Sequence, residues 1–360
     1  MNTKVIKTLL FLLIISISIF SCDDRKSQKN TEKKKLVALK VKSPGHNEHL
    51  TVGEPLNIVL EVYKPEEINN LTITYNDSIY FSQLSAKSQT ITIDTKPLPV
   101  GFSTLKISYT DQAGKPRTAS RNIVLWSDIT PEQKIASIVN TYPHQTSSYT
   151  QGLEFYKGNL YESTGSGDNN QSFIAKVDLL TGEHKQYKTL NQSNYFGEGI
   201  TILNDTIYQL TWQNNECLVY DINFNYIKSF SYEGEGWGLT NNGQSLIMSN
   251  GTSSIVWRNR HTFEIEKTIH VFSKERDVPQ LNELELINGD LWCNVYMDEF
   301  LVQVDTTTGK VLAYIDCSGI AMQGMDVNSN VLNGIAYEAN TKKIYLTGKL
   351  WPKLFEVKID

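Results

Sequence analysis

NDTIYQLTW (204–212) decides the reading of this chain, because its outline occurs five times. The other four versions are KGNLYESTG (157–165), NGQSLIMSNG (242–251), NGDLWCNVY (288–296) and TKKIYLTGK (341–349). Each opens on turn residues, enters a short apolar strand and closes on small polar residues. The strand centres, Tyr161, Tyr208, Ile247, Trp292 and Tyr345, stand about 40–50 residues apart, the period of β-propellers in which each repeat is one four-stranded blade. Five repeats predict a five-bladed β-propeller over residues 129–360. Blades are radial, so the five polar clusters are expected to converge on one end of a central channel.

The strand IASIVNTYP (135–143) precedes the first repeat, and LFEVKI (354–359) ends the last with no strand after it. Pairing an N-terminal strand with C-terminal ones closes a propeller and leaves fewer open edges. Residues 135–142 are therefore expected in the blade that contains 341–360. Residues 36–126 read differently. LVALKVKSP, LNIVLEVY, LTITYN, QTITID, STLKISYTD and RNIVLW are short alternating strands separated by Pro, Gly, Asn and Asp. Six or seven strands in about ninety residues predict a small immunoglobulin-like β-sandwich. It carries no chemical constellation and reads as a spacer or docking module, joined by the linker WSDITPEQ (126–133). The expected fold class is all-β: a five-bladed β-propeller preceded by an immunoglobulin-like sandwich.

The first 21 residues read as a signal peptide. Lys4 and Lys7 precede an apolar run from Leu9 to Phe20, too short for a comfortable span. The ending Ile19-Phe20-Ser21-Cys22 resembles a bacterial lipobox. That resemblance implies cleavage before Cys22 and a lipid anchor on it. Residues 22–35 are charged and read as a disordered tether. The expected location is the bacterial cell envelope, lipid-anchored on an extracytoplasmic face. The net charge of −5 and the lack of a basic stripe beyond the N-terminal tail argue against nucleic acid. A monomer is expected. Cys217, Cys293 and Cys317 show no CxxC spacing, which argues against a zinc site. They read either as one disulfide with a thiol left over or as three small buried apolar residues.

The polar clusters hold the candidate chemistry. Glycine flanks many of them, as in Gly197-Glu198-Gly199 and Gly236-Trp237-Gly238, so a functional side chain is offered from a tight bend. Five stretches carry a resemblance: YPHQTSSYTQGLEFYKGNLYESTG (142–165), YFGEGITILNDTIYQLTW (195–212), EGWGLTNNGQSLIMSNGTS (235–253), LNELELINGDLWCNV (281–295) and VLNGIAYEANTKKIYLTGKLWPKLFEVKI (331–359). Together they resemble the plant and bacterial type of glutaminyl-peptide cyclotransferase, in order, over nearly all of 135–360. The resemblance implies a five-bladed propeller and an enzyme that needs no metal or other cofactor. Its substrates are peptides and proteins with N-terminal glutamine, which it converts to pyroglutamate with loss of ammonia.

The resemblance also implies roles. Glu198 of Phe-Gly-Glu-Gly falls on the catalytic carboxylate that moves the proton. Lys349 of Thr-Gly-Lys-Leu-Trp-Pro falls on a cation for the carbonyl oxygen, and Asn282 of Leu-Asn-Glu on a hydrogen-bonding partner of the substrate. Gln151 of Thr-Gln-Gly also falls on a substrate contact. Trp212 and Trp237 fall on flat walls whose indole N–H groups can donate as well. Glu162 and Asn333 are further candidate substrate contacts. Two positions depart from the family pattern. Tyr296 stands where the family usually has Trp, which bears on affinity; Asn250 stands in place of an Asp, which matters little if that residue caps a turn and shifts the pH profile if it tunes the charge of the site.

His144 lies in a Pro-His motif near Gln151, with a supporting role open to it, but reads first as a surface or turn histidine. No Gly-x-Ser-x-Gly, phosphate-loop or dinucleotide motif is present. Two other readings compete. One is a non-catalytic propeller that binds a partner, which retention of Glu198 and Lys349 disfavours. The other is a metal-dependent, lactonase-like propeller hydrolase, for which Glu162, Glu198, Asn250, Asn282 and Asn333 could supply oxygen ligands.

Overall fold

The computed structural model describes residues 37–166, 171–190 and 195–360. The leader, Cys22 and the tether lie outside the described residues. Each of the five repeated phrases is the second strand of an antiparallel set of four: Asn159–Gly165, Thr206–Thr211, Ser245–Ser249, Asp290–Val295 and Lys343–Gly348. The turn residues that open them take left-handed backbone angles, as at Asn204 (φ 54) and Asp205 (φ 59) or Asn288 (φ 53) and Gly289 (φ 95). Such mirror-image turns match the twist of the strands they join.

The first strand of each set is the inner one: Tyr149–Tyr156, Gly197–Leu203, Leu239–Asn241, Leu281–Ile287 and Leu332–Glu338. Each touches the next, and the fifth touches the first, so the inner strands make a closed ring. Apolar clusters fill the seams between sets. Tyr161 and Ile174 of the first set pack with Ile200 and Ile207 of the second. Leu153 and Leu160 of the first pack with Ala336 and Tyr345 of the fifth, which completes the circuit.

Three sets are separate four-stranded sheets, and the last two belong to one sheet of eight strands. The joining strand is Glu132–Pro143. It starts parallel to Val311–Asp316, with Glu132 opposite Ala313, and continues antiparallel to Lys353–Ile359, with Pro143 opposite Lys353 and Ala136 opposite Ile359. The pairing expected for 135–142 is thus present, and the strand also reaches back to the preceding set.

Four inner strands bulge at the same level. The register shifts between Thr150 and Gly152, Gly197 and Ile200, Leu281 and Leu284, and Leu332 and Ile335. A bulge re-aims the side chain beside it, and here those side chains are Gln151, Glu198, Asn282 and Asn333. The ring is narrow at this level. A Cβ on Gly199 would lie 2.4 Å from the Leu239 nitrogen, and one on Gly238 would lie 2.0 Å from the Asn282 carbonyl oxygen. Glycine is therefore required where neighbouring inner strands cross.

Residues 39–126 form eight strands in two sheets, of three and five strands, around one core that includes Leu56, Ile58, Leu71, Ile73, Leu105 and Ile107. The two strands beyond the sequence reading are Glu48–Thr51 and Ser78–Gln83. Neither has a clean buried face, so alternation could not reveal them. Phe272, from the propeller portion, is 1% exposed and belongs to this same core. Its ring lies 5.3 Å from those of Phe102 and Trp126. Val100 N–H donates to the Thr308 carbonyl (3.0 Å), and Lys310 pairs with Asp128 at 2.6 Å.

A chain begun near residue 128 keeps the joining strand but uncovers Phe272. It is expected to fold, with a melting point lower by roughly 3–12 °C, the cost of exposing one large apolar side chain in a domain of this size. A chain begun near residue 145 lacks the joining strand and is expected not to fold. Thermal unfolding of the two fragments checks this, and equal stability of the shorter one would overturn the closure argument.

Candidate active site

The bulges bring Gln151, Glu198 and Asn282 to a cavity of about 240 Å³, lined also by Tyr149, Phe196, Trp212, Trp237, Tyr296 and Lys349. Lys349 stands just past Lys343–Gly348, where the chain folds back. Its N–H donates to the Val331 carbonyl (3.0 Å), and Leu350 N–H donates to that of Ser148 (2.8 Å). Trp351, fully buried, fills the space beneath. A larger cleft of about 350 Å³ borders Asn76, Phe102, Lys106 and His270. Its Asp77–Lys106 pair is exposed, so it lacks the desolvated charge of the first cavity.

Three buried side chains form a relay. Lys349 Nζ donates to Gln151 Oε1 at 2.6 Å, and Gln151 Nε2 donates to Glu198 Oε1 at 3.2 Å. Asn333 does not line the cavity. Its Nδ2 donates to the Thr150 carbonyl (3.0 Å) and to Gln151 Oε1 (3.3 Å), steadying Gln151 from behind. Gln151 is therefore held at both ends of its amide by the protein. Asn282 differs: it is 3% exposed, and its Oδ1 has no partner among the described residues. An acceptor left open in a cavity wall is suited to an incoming N–H.

Burial pushes the Glu198 carboxyl well above the usual range; the Lys349 charge opposes this and the Glu235 charge adds to it. Burial lowers Lys349 to about 8, with Glu198 working against the fall. Lys349 Nζ also sits over the rings of Tyr149 (4.9 Å) and Tyr296 (5.3 Å), which favour a cation on their faces. Trp237 meets Tyr296 edge-on at 5.7 Å, and Trp212 meets Phe196 at 5.8 Å. Both indole N–H groups point away from substrate duty. Trp212 Nε1 donates to Glu235 Oε2 at 2.7 Å, and Trp237 Nε1 to the same oxygen at 2.9 Å.

Glu162 lies elsewhere. It is fully buried and accepts from Ser148 Oγ (3.0 Å) and Thr150 Oγ1 (2.7 Å), and it pairs with His144 Nε2 at 3.1 Å. The His144 ring also contacts the Trp351 carbonyl through Nδ1 (2.8 Å). His144 is thus 7% exposed and not the surface or turn histidine the sequence suggested. Burial disfavours its charge, but Glu162 outweighs this and raises its pKa. The same pairing overcomes burial at Glu162 and holds that carboxyl far below its usual range. The pair ties segment 148–150, next to Gln151, to segment 347–351, which carries Lys349.

Asn250 caps a turn, its Oδ1 accepting from Thr252 N–H (3.2 Å) and Thr252 Oγ1 (2.6 Å). The five oxygen ligands considered for a metal are therefore spread over four places: Glu198 and Asn282 at the cavity, Asn333 behind Gln151, Glu162 beside His144, and Asn250 in its turn. Cys217, Cys293 and Cys317 are buried and free, so no disulfide joins them. Tyr149, Phe196 and Glu235 went unnoticed as site residues. Two of them are two positions before Gln151 and Glu198, which was the available signal.

A ring of β-sheets with a desolvated acid, a desolvated cation and aromatic walls at its mouth defines an enzyme site for a small polar group carried on an apolar stem. A sequence profile of glutamine cyclotransferases matches residues 111–359. Over 229 residues the chain is 35% identical to a glutaminyl-peptide cyclotransferase of Arabidopsis thaliana, covering 62% of this chain and 70% of the relative. The crystal structure of Myxococcus xanthus glutaminyl cyclase superposes with a TM-score of 0.60 at 32% identity, over 64% of this chain and 98% of that one. The chain belongs to the glutamine cyclotransferase family, and its activity is the transferase reaction of that family.

Proposed function

We propose that the cavity cyclises the N-terminal glutamine of peptides and proteins, with Glu198 moving the proton and Lys349 stabilising the developing oxyanion. The observation that carries this reading is the Lys349–Gln151–Glu198 relay at the foot of an aromatic-walled cavity. The α-amine has an ordinary pKa of about 8. A carboxylate whose proton affinity is raised toward that value exchanges a proton with it at little cost. The neutral fraction of the amine attacks the γ-carbonyl carbon, and Glu198 takes one proton from the attacking nitrogen as the bond forms, for delivery to the leaving nitrogen. The new C–N bond closes the five-membered ring as the carbonyl electrons move onto oxygen, beside the Lys349 ammonium. When the oxyanion collapses, the old C–N bond breaks, Glu198 returns its proton and ammonia leaves. Asn282 Oδ1 is open to a substrate N–H, and the walls hold the chain in a near-ring conformation.

Every step is assigned to the chain's own side chains. Ammonia release from a glutamine-initiated dipeptide is expected to be unchanged by exhaustive EDTA treatment. Loss of activity that returns with zinc or calcium would defeat this assignment. The closed ring of inner strands supports a five-bladed propeller over 129–360, and the two N-terminal sheets with one core support an immunoglobulin-like module over 36–126. The leader sequence supports a lipid anchor on Cys22, an extracytoplasmic site in the bacterial envelope and exported substrates. A Cys22→Ser protein is expected in the soluble fraction or unprocessed; a processed, membrane-bound variant would exclude lipid as the tether.

A further inference from the structure

We propose that Glu235 is a positioning residue for the reaction: one carboxylate oxygen anchors both tryptophan walls of the cavity and sets a fixed negative charge beside the Glu198 strand. This rests on the cyclisation assigned to Glu198, and deepens it. Trp212 follows the strand Thr206–Thr211 and Trp237 precedes Leu239–Asn241, so the walls come from different sheets. Their indole N–H groups share one acceptor, Glu235 Oε2, at 2.7 and 2.9 Å, which fixes the spacing of the two rings. The backbone ties the same segment to both sides. Gly236 N–H donates to the Trp212 carbonyl (3.4 Å), and Gly199 N–H, next to Glu198, donates to the Trp237 carbonyl (2.7 Å).

Trp212 needs such an anchor, being 37% exposed at the mouth. With both N–H groups engaged, the walls offer apolar faces to the glutamine stem. Polar recognition is left to Glu198, Asn282 and Lys349. Burial raises the Glu235 carboxyl, but hydrogen bonds from Trp237, Trp212 and Gln213 outweigh this and hold it low. It is ionised at neutral pH. The charged groups facing Glu198 are Lys349, which favours its ionised form, and Glu235, which disfavours it. The phenols of Tyr149 and Tyr296 line the same cavity, and that of Tyr232 lies near, donating to the Thr211 carbonyl at 2.6 Å.

Two substitutions separate anchor from charge. Glu235→Gln keeps an oxygen for the indoles and removes the charge. Glu235→Ala removes both. In Glu235→Gln the acidic limb of kcat/KM, governed by Glu198, is expected to move to lower pH by about half a unit or more, because a like charge has been lost. In Glu235→Ala, KM is expected to rise about tenfold or more, the worth of one charge-assisted hydrogen bond, with kcat at the optimum changed far less and tryptophan emission shifted to the red. A merely structural Glu235 would lower the melting point and the active fraction while leaving KM and the pH profile in place. That result, or Glu235→Ala with KM within twofold of wild type, would overturn the proposal. Glu198→Gln in parallel distinguishes failure of the underlying mechanism, since its effect on turnover tests the proton-transfer role of Glu198 and not the anchoring role of Glu235.

Discussion

Glu198→Gln is expected to lower turnover by roughly 10²–10⁴-fold, the usual worth of a positioned general acid–base group. The substitution preserves shape and an oxygen that can accept from Gln151 Nε2, now 3.2 Å away. What it removes is the capacity to take up the α-amine proton and return it to ammonia. KM is expected to move little, because the aromatic walls, Asn282 and Lys349 remain. Stability is not expected to fall. Glu198 is 4% exposed, and an amide is less costly to bury than a carboxylate. Steady-state ammonia release and thermal unfolding check both statements. Turnover within threefold of wild type would move the proton-transfer role to another carboxylate. Glu235 would then be the next to test, because Glu162 is paired with His144, and Glu283 spans the channel to accept from Leu153 N–H (3.3 Å) and Ile335 N–H (2.7 Å).

The repeat was legible because a hairpin is local. Turn residues, an apolar strand and a polar end lie within about nine residues, and the structure converts each such phrase into the second strand of a set. The cavity residues were legible through motif resemblance alone, since the bulges that aim Gln151, Glu198 and Asn282 depend on neighbouring strands. Glu162 shows the limit. It sits in the same phrase as other polar residues, but the partner it faces, His144, is eighteen positions away and its burial is decided by packing around Trp351. Trp212 and Trp237 were legible as walls, whereas the direction of their N–H groups was not, because it is fixed by Glu235 on a bend between sheets. Phe272 carries the same lesson at larger scale. Its place in the core of the N-terminal sheets reflects a contact across more than 140 residues, which no local pattern encodes.

Lys349→Met is expected to lower kcat about 10²-fold, near the loss seen when one donor to an oxyanion is removed. The pH profile shows whether that loss is electrostatic. Burial holds the Lys349 ammonium at about 8, so in the wild type the cation is present below that pH and disappears above it. The kcat/KM curve should therefore fall on its alkaline side near pH 8. In Lys349→Met that limb is expected to vanish. The acidic limb is expected to move upward, because the charge that favoured ionised Glu198 has gone. The sign on stability runs the other way. A lysine lowered from 10.5 to about 8 on folding binds its proton more weakly folded than unfolded, so its burial costs stability below pH 8, and that cost is relieved as pH climbs toward 10.5. Methionine carries no such cost, and Lys349→Met should melt no lower than wild type at pH 7. A variant that loses activity, keeps its fold and loses the alkaline limb places Lys349 at the reacting oxygen. One that keeps kcat within threefold, or retains the limb, removes it from the chemistry.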